Sequence, residues 1–439
     1  MRWNSARRAS VLWALYTVSA CAESASDRMQ EEQPANADDD GPRDASPRLD
    51  ASTITPRADA TVRPPDASPV QSDAGDVAVD TLDAGDAVDA SMLDAAVPAP
   101  EKVLGVTADF LNKTLTVFDV AKLKPGAKRA DVQVASVDLS KFTPGPMSFG
   151  ISPDGKLAIV SISRGFLGSF IDVPAGDGTL VFVDLQTYQV TGELFTGKSP
   201  MGVAFSPDSK RAFVGHFSEN YFAVVDVEER TFTKVNTGAA YNEEFAIDDT
   251  GSVGALTYGA AGNVKTFGVD DPAGTLGQTN GISGDAAGVA FFPGTKIAYL
   301  VQAPTTLTFN VGGHNLVDVS DPKMPVSSDE VRSNNHPTVY PITAVAARKS
   351  VAFPSTASGK LSVVEMKLDG KVAKESARVE VGAAASLAYG VTATPDGRVL
   401  VVSSGEHYLG VANLETGEAY TVPWEVAKSG PTEVKIIPR

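Results

Sequence analysis

The chain has 439 residues, a formal net charge of −17 and a single cysteine. Such an acidic balance argues against a nucleic-acid partner, because phosphate backbones attract basic surfaces. The sequence contains no Cys-x-x-Cys-His haem motif, which argues against a redox chain that carries a cofactor.

The first 20 residues are predicted to be a signal peptide. Arg2, Arg7 and Arg8 form a basic start, and the apolar run Val11–Ala20 is too short to span a bilayer. The run ends in Val18-Ser-Ala-Cys21, which resembles the lipobox of bacterial lipoproteins. This resemblance implies cleavage before Cys21 and lipidation of its side chain.

Ala22, rather than Asp, follows that cysteine, and the same resemblance then implies the outer membrane. We therefore predict a lipoprotein of the bacterial cell envelope, periplasmic or surface-facing, that meets the membrane through its lipid anchor only. The alternatives are an ordinary secretory signal and a twin-arginine signal at Arg7-Arg8, which lacks the usual Phe-Leu after it.

Residues 21–101 are predicted to be the lipidated cysteine followed by a disordered tether rich in Asp, Ala and Pro. Residues 22–100 contain 18 Asp and Glu, five Arg and no aromatic residue. Such a segment cannot bury enough apolar surface to offset chain entropy, and its like charges extend it. An acidic calcium-binding tail is the alternative, although the acids lack ligand-loop spacing. We expect a spacer between the lipid surface and the next domain.

A repeating unit organises the chain from residue 102 onward, and its clearest copy is Met201–Gly238. The apolar strand Met201–Phe205 is followed by Ser206-Pro-Asp-Ser209, which is typical of a type I turn. A returning strand, an apolar strand ending at Asp226 and a Thr-rich strand, Thr231–Asn236, complete the unit. Four short strands repeated at about 48 residues predict propeller blades.

The third strand of the unit can be counted seven times. Three copies end in Gly268, Glu365 and Asn413 instead of Asp. The seven strands are Leu115–Asp119, Val181–Asp184, Phe222–Asp226, Val264–Gly268, Asn315–Asp318, Leu361–Glu365 and Leu409–Asn413. The chain is therefore predicted to be all-β, with a seven-bladed β-propeller over residues 102–439 that follows a disordered acidic linker.

The first blade lacks an inner strand of its own. Pro431–Pro438 matches Pro200–Pro207 proline for proline, so we predict that this terminal segment closes the ring on the strand beginning at Val103. The later blades are predicted at 147–200, 201–240, 241–284, 285–337, 338–386 and 387–430. Extra residues at 164–177, 302–314 and 321–337 lengthen the second and fifth blades and are expected to shape a partner site.

The strand–Ser-Pro-Asp-Gly–strand unit followed by Val-Asp resembles the bacterial YVTN-type seven-bladed propeller family. The turn recurs at Ser152–Gly155 and, with Thr first, at Thr394–Gly397. Leu316–Pro322, followed by Pro325, resembles the LVIVD-type repeat of bacterial surface propellers. Related propellers include surface-layer proteins, lactonase-like hydrolases and chains of amine dehydrogenases. The resemblance thus implies a fold but no single activity.

Candidate binding residues lie in the loops between second and third strands and at the start of the inner strands, on the face where propellers usually bind. They are Arg164, His216, Glu219, Asn220, Tyr221, Asn242, Glu243, His314, His336, Tyr340, Tyr389, Glu406 and His407.

Three uses of that face are open. The first is a divalent metal site built from His216, Glu243, His336 and His407, although no spacing motif supports it and no cofactor is otherwise predicted. The second is a lactonase-like site around Glu243 and Asn242, in which no catalytic residue can be identified. The third is binding without catalysis.

The recurring Asp residues are predicted to be structural. Asp154 and Asp396 belong to the Ser-Pro-Asp-Gly and Thr-Pro-Asp-Gly turns. The Asp residues at third-strand ends should accept hydrogen bonds from the turn that follows. These are Asp119, Asp184, Asp226 and Asp318.

We therefore predict a monomeric, envelope-anchored propeller that acts as a binding or scaffolding module for a protein or glycan partner. The alternative is a metal-assisted, lactonase-like hydrolase that acts on a small substrate at the channel mouth.

Overall fold

The structure is a computed structural model that describes residues 102–164, 177–258, 263–279, 285–303, 314–328, 331–332, 341–355, 360–383, 388, 390–424 and 430–438. Seven sheets stand in a ring within these residues, which confirms the predicted seven-bladed all-β propeller. Residues 1–101, which include the predicted signal peptide, Cys21 and the predicted acidic tether, lie outside the described residues.

Each blade has four main strands, numbered here along the chain and given from the channel outward. Blade 1 contains β29 (Glu433–Ile436), β1 (Leu104–Asp109), β2 (Thr114–Asp119) and β3 (Gln133–Asp138). Blade 2 contains β4 (Pro146–Ile151), β5 (Leu157–Ile162), β6 (Asp177–Asp184) and β7 (Gln189–Lys198). Blade 3 contains β8 (Pro200–Phe205), β9 (Arg211–His216), β10 (Tyr221–Asp226) and β11 (Thr231–Asn236).

The remaining blades follow the same order. Blade 4 contains β12 (Asn242–Ile247), β13 (Val253–Tyr258), β14 (Asn263–Gly268) and β15 (Gly277–Gln278). Blade 5 contains β16 (Asp285–Phe291), β17 (Ile297–Ala303), β18 (His314–Asp318) and β19 (Val326–Ser328). Blade 6 contains β21 (Thr343–Val345), β22 (Ser350–Ser355), β23 (Lys360–Asp369) and β24 (Val372–Ala383). Blade 7 contains β25 (Gly390–Ala393), β26 (Arg398–Ser403), β27 (Tyr408–Asn413) and β28 (Ala419–Pro423).

Three short helical segments and one additional strand complete the described structure. The helical segments are Val120–Lys122, α1 (Arg129–Val132) and Ala346–Arg348. The extra strand, β20 (Val331–Arg332), pairs parallel to β24 on the outside of blade 6. The sequence predicted that these two residues belong to blade 5. In the structure they pair with β24, the outer strand of blade 6, which would otherwise present an unpaired edge.

The ring is closed by pairing of β29 with β1. The register runs antiparallel from Gly105 opposite Ile436 to Ala108 opposite Glu433. The flanking amide of Thr432 also donates to the Ala108 carbonyl at 2.8 Å. Because β29 comes from the far end of the chain, it leaves blade 1 without an open inner edge, and the predicted closure is confirmed.

The structure confirms that the recurring Asp residues serve turns. The Asp184 Oδ1 accepts hydrogen bonds from the amides of Gln186 and Thr187 at 2.7 and 2.9 Å. Asn413 replaces Asp in blade 7, and its Oδ1 accepts from the amides of Glu415 and Thr416 at 2.9 and 3.1 Å. What the position requires is an acceptor oxygen on a short side chain.

The Ser-Pro-Asp turns use the same chemistry at the ends of inner strands. The Ser152 hydroxyl donates to the Asp154 carboxylate at 2.6 Å, and Ser206 does the same to Asp208. Gly155 closes the first turn with a φ of 69°, a left-handed conformation that favours glycine. The carboxylates of these turns therefore have structural partners.

Both faces of the blades are buried, as the continuous apolar strands predict. Aromatic side chains fill the space between blades 3 and 4. The ring of Phe267 lies 5.1 Å from that of Phe213 and 5.2 Å from that of Phe222, and Phe222 lies 5.4 Å from Phe245. Offset and edge contacts of this kind stabilise beyond their buried area.

Changing Val434 to Asp should open the ring. Val434 is 0 % exposed in β29, so a carboxylate there would lack a partner, and we expect the free energy of unfolding to fall by about 3 kcal/mol. Denaturant unfolding followed by circular dichroism measures this loss, and light scattering should detect association through the freed edge of β1.

The matched control is Val134→Asp in the outer strand of the same blade, where the side chain is 38 % exposed. This variant should change the stability by less than about 0.5 kcal/mol. Equal losses in the two variants would contradict a closing role for β29.

Candidate functional site

Several of the predicted residues on the loop face form contacts within the protein. We call this end of the ring, where second strands end and inner strands begin, the upper face. His216 ends β9 with 0 % exposure, and its Nε2 is 2.9 Å from the Thr196 hydroxyl. Burial lowers the pKa of His216 to about 4, so the ring is neutral at physiological pH.

Asn242 and Tyr221 are also engaged in structural contacts. The Asn242 amide nitrogen donates to the carbonyls of Glu219 and Ala239 at 2.9 and 3.3 Å, which fixes the loop ahead of β12. The Tyr221 hydroxyl donates to the Thr196 carbonyl at 2.7 Å. These side chains hold the loops of blades 3 and 4 in place.

The other described candidates are spread around the upper face. Arg164 is exposed and donates through Nε to the Thr143 carbonyl at 3.3 Å. Asn220 and Glu406 are exposed, while Glu243 and His407 are half-buried.

Glu219 and His314 complete the described part of the predicted set. The Glu219 Oε1 accepts a hydrogen bond from the Lys198 amide at 3.2 Å. The His314 ring packs against the rings of Tyr299 and Phe353 at 5.7 and 5.4 Å. His336, Tyr340 and Tyr389 lie outside the described residues.

The predicted metal ligands are not brought together within the described part of the chain. No group of three or more His, Cys, Asp or Glu residues there has the arrangement to hold a metal ion. His216 uses Nε2 for Thr196, and His407 lies on blade 7 at the far side of the ring from blade 3.

Charged side chains instead meet on the innermost strands, at one level of the central channel. One residue of each blade lies three positions before the inner-strand residue that is equivalent to Ile436. These seven residues are Glu433, Ser148, Gly202, Glu244, Gly288, Pro341 and Gly390, from blade 1 to blade 7. At this position β8 and β12 have a register irregularity, and in blade 6 it precedes the start of β21 at Thr343. Only two of the seven carry a charge.

The two glutamates lie on opposite sides of the ring, and the charge of Glu433 acts on Glu244. The innermost strands follow one another around the ring in the order β29, β4, β8, β12, β16, β21 and β25. Glu433 on β29 and Glu244 on β12 are thus three blades apart, the greatest separation that seven blades allow. Lys435 lies one level further along β29, with its Nζ 3.8 Å from the Glu433 Oε1.

Enclosure by protein perturbs both carboxyl groups. Burial, and secondly the negative charge of Glu433, raise the pKa of Glu244 to about 7, although Lys435 opposes this. Burial likewise raises the pKa of Glu433, while Lys435 and the Val434 amide lower it. Among the described residues, the Glu244 carboxylate has no hydrogen-bond or ion-pair partner.

Gly202 makes room for the Glu244 side chain. A Cβ atom built on Gly202 would lie 2.6 Å from the Glu244 Oε2 and 2.6 Å from the Glu243 carbonyl oxygen. The carboxylate therefore rests against the backbone of the adjoining inner strand. Its position beside the channel leaves it partly accessible to solvent.

This channel cluster was not predicted from the sequence, although one signal for it was present. The match of Pro431–Pro438 to Pro200–Pro207 aligns Glu433 with Gly202 and Lys435 with Ala204. Charged residues at positions that are small in the other copies mark this cluster.

No family model and no curated protein match the sequence. Among solved structures, the chain is similar to a functionally unknown protein from Desulfotomaculum acetoxidans, with 14% identity, a TM-score of 0.58 and coverage of 76% of this chain and 99% of that one. It is also similar to the periplasmic gluconolactonase of Pseudomonas aeruginosa, with 14% identity, a TM-score of 0.55 and the same coverages. Identities this low show the propeller fold alone.

Within the described residues, none of the helical segments has the length and apolar character needed to cross a bilayer.

Replacing Glu433 with Gln should lower the pKa of Glu244, because the repelling charge across the channel is removed. Lys435→Met should raise that pKa. Carbon-13 NMR of glutamate-labelled protein measures both shifts, with Glu244→Gln identifying the resonance. Since the folded pKa lies above the usual 4.5, stability contributed by neutral Glu244 should be lost as pH rises through about 7.

The control for this titration is Glu406→Gln, which removes the same charge from an exposed position on the upper face. A Glu244 pKa that responds equally to both variants would contradict a direct interaction across the channel.

Proposed function

We propose that this protein is a cell-envelope lipoprotein whose propeller binds a protein or glycan partner through the upper face and the channel. Cys21 is its lipid anchor, and residues 22–101 are the spacer. The anchor is supported by the lipobox-like Val18-Ser-Ala-Cys21. The binding role is supported by the propeller and by the chemistry of its channel.

One observation carries the binding role: Glu244 and Glu433 oppose each other at a single channel level without enough counter-charge. Among the described residues, Lys435 is the one cation whose charge acts on both carboxyl groups, and it lies beside Glu433. A half-buried carboxylate without a partner is costly to the free protein, and we take Glu244 to indicate a ligand.

A photo-crosslinking residue at Asn220 tests the binding face. Asn220 is exposed on the upper face, so cells that express the Asn220 variant should yield a discrete adduct with an envelope protein or glycan. The matched position is Asp154, whose side chain is 42 % exposed in a turn at the opposite face. Adducts from Asp154 alone would contradict the proposed face.

Replacing Cys21 with Ser tests the anchor. Labelled palmitate should enter the wild-type protein and not the Cys21→Ser variant, and only the wild type should fractionate with membranes. Lys113→Ser, at an unrelated position, should incorporate label as the wild type does. Equal labelling of wild type and Cys21→Ser would refute lipidation at this residue.

A hydrolase acting on a small lactone-like substrate is the second candidate. The observation that favours it is the pair of channel carboxyl groups, because Glu244 can donate a proton near neutral pH while a second carboxylate faces it. The predicted version around Asn242 and a metal has less support, since the Asn242 amide nitrogen is bonded to backbone carbonyls. Lactone turnover that is lost in Glu244→Gln would favour the enzyme over the binding module.

A further inference from the structure

We propose that the channel binds an organic cation, a primary ammonium group on a flexible chain, on the axis between Glu244 and Glu433. This inference rests on the proposed binding function and names the chemistry of its ligand. An ammonium group supplies three hydrogen-bond donors and one positive charge, which two opposed carboxylates can share.

The first argument is the missing partner of Glu244. Its carboxylate is enclosed by protein, rests against the Gly202 backbone and has neither hydrogen-bond nor ion-pair partner among the described residues. Glu433 is 8 % exposed and partly compensated by Lys435 and by the Val434 amide at 3.2 Å. The side of the channel formed by blade 4 therefore lacks the cation that the side formed by blade 1 possesses.

The second argument concerns the kind of cation. Calcium requires six to eight oxygen ligands, and magnesium an octahedron. The described residues provide no cluster of three metal-binding side chains, and the other positions at this level are Ser, Gly and Pro. Two carboxylates on opposite sides suit a singly charged group that makes several directional hydrogen bonds.

The third argument is the shape of the channel beyond the carboxylates. At the level of Lys435, the equivalent positions of the other six blades carry small, uncharged residues. They are Gly150, Ala204, Ala246, Ala290, Thr343 and Thr392. No long side chain other than that of Lys435 therefore lies at this position on the seven inner strands, and we take the alkyl chain of the ligand to extend along it.

Binding should depend on pH through Glu244. The charged groups that face it are Glu433 and Lys435, and no other residue at these two levels is ionisable. The ammonium group requires ionised Glu244, whose pKa is about 7, so affinity should rise about tenfold from pH 6 to pH 8. Binding should release a proton near neutral pH.

Calorimetric titration of the full-length chain with n-pentylamine tests the site, with pentan-1-ol as the uncharged probe of equal length. We expect saturable binding of the amine and none of the alcohol. Glu244→Gln and Glu433→Gln should each weaken amine binding at least tenfold, while Lys435→Met should strengthen it. Glu193→Gln, a change of the same charge at an exposed position of the outer strand β7, should leave amine binding unchanged.

Three results would overturn the inference: no amine binding to the wild type, an affinity of both Gln variants equal to that of the wild type, or calcium binding in place of the amine. Thermal melting of each variant confirms that it is folded. Binding of a lysine-containing peptide is compared with binding of the same peptide carrying norleucine in place of lysine. Binding of the lysine peptide alone indicates that the ammonium group comes from a protein side chain rather than from a free amine. If the Asn220 variant cross-links a partner and the amine does not reduce that cross-linking, the binding function stands and this inference fails. If the Asn220 variant cross-links no partner and the amine does not bind, the proposed function and this inference both fail.

Discussion

Hydrogen bonding between β29 and β1 is the interaction on which the ring depends. It joins residues 433–436 to residues 105–108, so the two ends of the propeller fold as one sheet. Without it, blade 1 would expose an unpaired edge and the hub would be incomplete. The same pairing brings Glu433 and Lys435 into the channel, which means that the chemistry of the channel exists only in the closed ring.

Because the repeat is regular, a residue that differs from its equivalents in the other blades is informative. Carboxylates that recur from blade to blade, such as Asp184 and Asp226, accept hydrogen bonds from turn amides. Glu244 and Glu433 differ from them, because neither serves a repeated turn and the carboxylate of Glu244 has no partner among the described residues. Burial raises the pKa of both groups. The fold does not require these charges, and their burial destabilises the folded protein. Such residues indicate a ligand.

The upper face shows why residue type alone is a poor guide to a site. His216 and Asn242 have side chains that suit metal or substrate binding, yet both are fully buried and hold neighbouring loops through Thr196 and Glu219. Polar groups that become buried in folding must find partners, and the nearest backbone carbonyls supply them. Exposed candidates on the same face, such as Asn220 and Glu406, keep their side chains available for a partner.

The sequence by itself determined the local structure and the number of blades. Turn chemistry at Ser206–Ser209 and an apolar third strand act within a few residues, so they can be read from the chain. It also indicated that Pro431–Pro438 supplies an inner strand. Only the tertiary structure decided that Glu244 and Glu433, 189 positions apart in the sequence, share one level on opposite sides of the channel. Strand register and blade order set that relation, and both arise from long-range pairing that no local pattern encodes.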